Sequence, residues 1–292
     1  MASDKNRRGI AAMLIAAAFF SVMDTGLKLL APHYPSVQVA ALRSLASLPL
    51  VLVYVGWRTG FRGMFDVRWG LHLLRGALGI GILASFAIGV RRLPLAEAYS
   101  LLFIAPMLIT ALSAIVLKER VERARWIAIV VGLAGVLVVL RPTGAGLVTM
   151  SGLAVLASAA CYAVTAIVVR LLGRTDSSES LVLWSIVSMS IGATAIAAPG
   201  WIPVRLEHGW ILAGIALSGF VAQIAITEAF RQSEASAVAP FEYSSLAWGI
   251  AIDWLLWKVW PDRYMLLGAG IIVASGIYLV RRERAHPEAE HP

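Results

Sequence analysis

Hydrophobic residues in this chain fall in runs of roughly twenty, separated by short polar turns. The runs cover 9–30, 36–57, 70–90, 95–117, 125–140, 150–171, 179–199, 209–230, 236–258 and 263–280. A helix needs about 20 apolar residues to cross a bilayer, so the pattern predicts ten transmembrane helices. The runs do not alternate with a period of two, which excludes a transmembrane β-barrel. The connections are short, so neighbouring helices run antiparallel, and no soluble domain is inserted between them. Two stretches, 93–142 and 234–282, each read as a helical hairpin: an apolar run, a turn, then a second apolar run.

Charge orients this pattern. Lysine and arginine in the turns on the N-terminal side number sixteen, against six on the opposite side, with three more inside spans. By the positive-inside bias both termini are expected in the cytoplasm, which ten spans also require. The same placement disposes of the net charge of +8 as a nucleic-acid signal, because the basic residues sit at helix ends. Composition agrees: 59% of residues are hydrophobic and 14% charged, too little polarity to solvate a globule of this length. Arginine outnumbers lysine 21 to 4, a bias typical of GC-rich bacterial genomes, and points to a bacterial inner membrane. The first span follows directly on the N-terminus, so no cleavable leader is expected.

The chain carries a weak internal repeat. Lys28-Leu29-Leu30-Ala31 matches Arg170-Leu171-Leu172-Gly173, Gly135-Val136-Leu137 matches Gly276-Ile277-Tyr278, and Arg141 matches Arg282. The shared spacing of about 142 residues carries more weight than any single match. The expected fold is therefore an all-α membrane protein of ten transmembrane helices, built as two five-helix repeats over 1–145 and 146–282, with a tail at 283–292. Five is odd, so the second repeat enters the membrane inverted. Inverted repeats suit alternating access around a site near mid-membrane.

Ala41-Leu42-Arg43, Ala105-Pro106, Leu117-Lys118-Glu119-Arg120 and the glycines Gly132 and Gly135 resemble the drug/metabolite transporter superfamily, in its ten-span EamA-type branch. The resemblance covers both halves through short motifs. By the repeat offset the second half has Ala247 in place of the proline and Trp260 in place of the glutamate. The resemblance implies a carrier of amino acids or other metabolites driven by gradients or exchange, and not by a bound nucleotide.

Ionisable groups in lipid need a partner or a wet cavity, which singles out a small set of residues. Asp24 in span 1 and Arg43 in span 2 each lie about seven residues from the outer helix end, or about 10 Å deep. They are expected either to hold a charged solute or to form a structural ion pair. Glu97 and Asp253 sit at the outer mouth as gate candidates, their alternative being simple hydration. Arg75, Glu228 and Glu242 lie near the inner surface and suggest an inner charge cluster that opens and closes, with Arg75 and Glu228 as gate candidates and interfacial solvation as the rival. Span 9 is the most polar helix: Pro240, Glu242, Tyr243, Ser244 and Ser245 should line a cavity, and Trp248 is too deep to be an interfacial anchor. Tyr99, Tyr162, Trp184 and Gln223 are further wall candidates. The remaining tryptophans, such as Trp57, Trp126, Trp210 and Trp260, read as belt anchors.

No phosphate-binding loop, metalloprotease motif or nucleophile elbow is present, the five histidines lack metal spacing, and Cys161 is alone. No enzyme activity, cofactor or metal is expected. The expected function is a secondary-active exporter of small metabolites, amino acids first, with a proton or an exchanged solute as coupling partner. The expected form is a monomer or homodimer in the bilayer. The alternatives are a nucleoside-like or S-adenosylmethionine-like metabolite carrier, a non-transporting membrane scaffold, or a lipid-acting enzyme.

Overall fold

The computed structural model describes residues 2–61, 63–90, 92–93, 95–143 and 149–285, with side chains at all of these except 2–5, 90, 95–97 and 283–285. Among the described residues there are helices and turns and no strand. In chain order the helices are α1 (Ala2–Leu30), α2 (Ser36–Arg58), α3 (Trp69–Val90), α4 (Leu95–Leu102), α5 (Ala105–Val116) and α6 (Arg123–Leu140). They continue with α7 (Met150–Leu172), α8 (Ser178–Ala197), α9 (Gly209–Gln232), α10 (Ala235–Val238), α11 (Ser244–Trp257) and α12 (Arg263–Ala285).

Nine stretches of the described chain are long and apolar enough to cross a membrane. The fourth and ninth expected spans are broken. The fourth is α4 and α5, interrupted at Phe103–Ile104 just before Pro106. The ninth is α10, a 3-10 turn over Ala239–Tyr243, and α11. Proline has no N–H to give and its ring clashes with the carbonyl four residues back, so Pro106 and Pro240 both fall where the α-helix stops. In the ninth span the Ser244 hydroxyl donates to Phe241 O at 2.6 Å and Ser245 to Glu242 O at 2.8 Å. The Ser244 N–H also reaches the Phe241 and Glu242 carbonyls, so the serine hydroxyls add a second donor to carbonyls at the break.

Packing follows one scheme in both halves. α1 runs along α9 as α3 runs along α7; α2 meets α9 as α3 meets α8; α5 meets α7 as α11 meets α1; and α2 meets α8 across the middle. α6 and α12 pack on each other. Glycine sets that last approach: a Cβ added at Gly135 would lie 2.9 Å from Gly268 O, and one at Gly268 would lie 2.6 Å from Gly135 O. Lys118 after α5 and Lys258 after α11 share the left-handed conformation, each at φ 55°.

The two ends of the bundle are tied differently. At the end where α1 begins, the Glu119 carboxylate accepts from the Ala235 and Ser236 N–H groups at 3.2 and 3.3 Å and from Ser236 Oγ at 3.2 Å. Arg170 Nε stands 3.5 Å from the same carboxylate, and Arg170 Nη1 donates to Arg231 O at 2.8 Å. Arg125 donates to Ser236 Oγ at 2.8 Å and pairs with Glu234. Beneath this network lies an apolar cluster containing Ile10, Met13, Ile109, Val169, Phe230 and Phe241. At the end where α1 finishes, Lys28 meets Asp253 at 2.9 Å in an exposed pair, and Tyr34 Oη is hydrogen-bonded to His208 Nδ1 at 2.8 Å. Gln38 clamps the main chain of Ile202 there, donating to its carbonyl at 2.5 Å and accepting from its N–H at 2.8 Å.

Gly135→Leu is expected to force α6 and α12 apart at a cost of about 1–3 kcal/mol. It should lower the melting temperature of the detergent-purified protein, whereas Gly214→Ala, inside α9 with nothing within 4 Å of the added Cβ, should leave it unlowered or raise it.

Candidate functional site

A cavity of about 410 Å³ lies inside the bundle. Its walls come from α1–α5 and α7–α9, from Glu242 in the 3-10 turn and from Ser245 on α11; α6 and α12 contribute nothing to it. The size suits a small metabolite. Each helix turns one stripe inward. On α1 the stripe is Met13, Ala16, Ala17, Phe20 and Asp24, at the spacing of one helical face. The helix breaks widen the wall: Phe103 sits in the break between α4 and α5, and Glu242 in the 3-10 turn.

The polar groups are few and mostly charged. Tyr162 Oη donates to Glu242 Oε1 at 3.1 Å and so joins α7 to the broken ninth span. Arg43 lies over the Phe20 ring, 5.3 Å from its centroid. Asp24 lines the same cavity, but no ion pair within 4.0 Å joins it to Arg43 among the described residues. Arg75 is buried and donates from Nη1 to Leu181 O at 2.8 Å. Gln223 Nε2 donates to Ser185 Oγ at 3.4 Å, one turn along α8 from Leu181. Exposure is graded along the cavity. Met13, Ala166 and Phe230 are buried at the end where α1 begins, whereas Asp24 and Tyr99 are exposed toward the end where α1 finishes.

The structure thus gathers Asp24, Arg43, Tyr99, Tyr162, Gln223 and Glu242 around one space, and adds Arg75. Other candidates lie elsewhere. Trp184 donates from Nε1 to Met64 O at 2.8 Å and packs against Trp69 and Phe65, so it belongs to the α2–α3 turn. Tyr243 is fully buried behind the wall, its ring against Gly132 and near Phe103. Consecutive residues of a helical turn point more than about 100° apart, so when Glu242 faces the cavity its neighbour Tyr243 is turned away from it. Trp248 is 43% exposed and outside the cavity wall. Glu228 faces Arg231 at 3.9 Å and accepts from Gln232, so Arg75, Glu228 and Glu242 do not form one inner cluster. Asp253 ties α11 to α1 through Lys28. The Glu97 side chain lies outside the described residues.

Several wall residues escaped the sequence reading: Phe20, Phe103, Met189, Ser185, Thr227 and Phe230. Phe20 shares a face with Asp24 at i, i+4 spacing and was available as a signal; Ser185 and Thr227 carried none. Among the described residues no group of three or more His, Cys, Asp or Glu side chains is placed to hold a metal.

The sequence pattern of the EamA-like transporter family matches residues 7–141 and again residues 149–282. The chain belongs to that family. It is 26% identical to the pseudopaline exporter CntI of Pseudomonas aeruginosa, over 97% of this chain and 100% of that protein. It is 27% identical to a riboflavin transporter of Vibrio cholerae, covering 93% of this chain and 92% of that one. An S-adenosylmethionine uptake transporter of Rickettsia conorii is 25% identical, over 97% and 96% of the two chains. A solved crystal structure superposes with a TM-score of 0.82 at 16% identity, covering 97% of this chain and 100% of that one. The protein is therefore a multi-pass membrane transporter by family, and that crystal structure shares its fold.

Because Asp24 and Arg43 do not close on each other, removing one strands no buried partner. Asp24→Asn and Arg43→Gln should change melting temperature additively. Their coupling in a double-mutant cycle should stay below about 1 kcal/mol.

Proposed function

We propose that this protein is a secondary-active transporter of the bacterial inner membrane that carries a small zwitterionic metabolite by alternating access. The single observation behind the reading is the cavity, which holds charges of both signs that do not neutralise one another, between aromatic and apolar walls. Asp24 offers an anionic contact for an amine, the cavity's arginines offer cationic contacts for a carboxylate, and Phe20, Tyr99 and Phe103 flank the solute's body. Amino acids and their derivatives fit this layout. Relatives named for an exporter and for an uptake transporter match over nearly the whole chain, so direction is read as set by the gradients on the two sides. Glu242, held by Tyr162 in the wall, is the carboxylate placed to carry a coupling proton.

The two halves, 1–145 and 146–282, act in this proposal as inverted repeats. The shared packing scheme, the paired helix breaks, the matching Lys118 and Lys258 conformations and the double family match support that arrangement. The excess of Lys and Arg on the turns at the α1 N-terminal end supports a cytoplasmic location for that end.

A second reading, a carrier for larger aromatic metabolites, is favoured by the relatives named for riboflavin and S-adenosylmethionine. Counterflow into proteoliposomes with labelled amino acids and nucleosides separates the two. Accumulation of amino acids, lost in Arg43→Gln and Glu242→Gln, is the expected result. Nucleosides alone would favour the second reading, and no accumulation of any solute would remove the zwitterion proposal. A proton gradient should drive accumulation in the wild type and fail to do so in Glu242→Gln.

A further inference from the structure

Arg75 lacks a counter-ion. Its relative exposure is 6%, it lines the cavity, and among the described residues it makes one hydrogen bond, to the Leu181 carbonyl, with Nε left unpartnered. The acidic residues of the α7–α8 turn are committed elsewhere. Asp176 is bonded to His72 at 2.8 Å, and Glu179 to Arg58 at 3.0 Å. A buried guanidinium in this condition costs several kcal/mol unless an anion comes to it.

The surroundings are polar and neutral. Ser185 lies one turn beyond Leu181 on α8 and accepts from Gln223 of α9 at 3.4 Å. One turn beyond Gln223, Thr227 is 1% exposed, lines the cavity, and has an Oγ1 without a partner among the described residues. One guanidinium with neutral hydroxyl and amide neighbours balances one negative charge. A carboxylate matches the guanidinium fork in charge and shape, and the cavity's other arginine, Arg43, is held over the Phe20 ring.

We propose that Arg75, with Ser185, Gln223 and Thr227, forms an anion pocket at the covered end of the cavity that receives a carboxylate of the transported solute. This rests on reading the cavity as the solute's path. It assigns Arg75 to binding, where its position in the sequence suggested a gate. The solute then lies along the cavity with its carboxylate deep and its amine toward Asp24 and the open end.

The test uses the full-length, detergent-purified protein with two matched probes, 3-phenylpropionate and its neutral amide, whose ring suits the Phe20, Phe103 and Phe230 walls. Calorimetry should show the wild type binding the acid at least about tenfold tighter than the amide. Arg75→Gln should bring that ratio to about one, and Arg75→Lys should restore part of it. Arg75→Met should raise the ligand-free melting temperature, because it removes an uncompensated buried charge; a residue that merely clamps α3 to α8 would give a fall. Equal binding of acid and amide, no binding of either, or an unchanged ratio in Arg75→Gln would overturn the pocket. Binding of inorganic phosphate in place of the acid would overturn the carboxylate assignment. Failed counterflow with an intact Arg75-dependent ratio removes the transport reading alone. Working counterflow that Arg75→Gln leaves unchanged removes the pocket alone.

Discussion

Lipid offers backbone and charged groups nothing to bond to, and the structure is governed by that constraint. An unbroken helix satisfies it anywhere in the membrane. A broken one satisfies it only where protein or a wet cavity faces the break. Pro106 and Pro240 break the fourth and ninth spans, and both breaks border the central space. The unbroken, glycine-bearing α6 and α12 take no part in it and pack on each other. The placement of the two broken spans beside the cavity therefore follows from backbone chemistry before any side chain is considered.

The two ends of the bundle are closed by unequal means. Around Glu119, carboxylate, guanidinium, hydroxyl and backbone groups interlock above a buried apolar cluster, and Glu119 itself is 8% exposed. Opposite, the Lys28–Asp253 pair is 59% and 45% exposed, where an ion pair contributes at most about 1 kcal/mol. The graded exposure of the cavity follows the same order. Its deep residues are covered at the Glu119 end, and Asp24 is exposed at the other. A carrier must break the stronger closure during each cycle. Ligand contacts made deep in the cavity are well placed to offset that cost, because they lie next to the network that has to open.

The all-helical character, the membrane setting and the family were legible in the sequence because lipid imposes long apolar runs and punishes stray charge; the ninth expected span was not, because Pro240 divides it into pieces too short to count as one crossing helix. Asp24, Arg43 and Glu242 stood out for the same reason, and all three reach the cavity. Direction around a helix axis was harder to read. Tyr243 and Glu242 are neighbours in a polar stretch, and consecutive residues of a helical turn point about 100–120° apart, here one into the cavity and one behind it. Trp184 has the look of a cavity aromatic, yet its N–H is taken by Met64 O in a turn 120 residues away, a contact with no local signal. Arg75 was visible as a charge in a span. That its acidic neighbours were already engaged by His72 and Arg58 was not, since those pairings cross from α3 and α2 to the α7–α8 turn.

The charges in the cavity could have cancelled. Asp24 and Arg43 on adjacent helices could have closed into one pair, and Glu242 could have met Arg75 in another. Both pairings would lower the cost of burial and leave a packed, inert core. The fold holds these groups apart: Arg43 rests on Phe20, Glu242 is held by Tyr162, and Arg75 is turned to the Leu181 carbonyl. Each of those contacts fixes an orientation while leaving the charge uncancelled. The free energy forgone in this way is recoverable only by something that enters with complementary charge, and under the proposed transport reading that favours charged solutes through the same feature that makes the cavity costly.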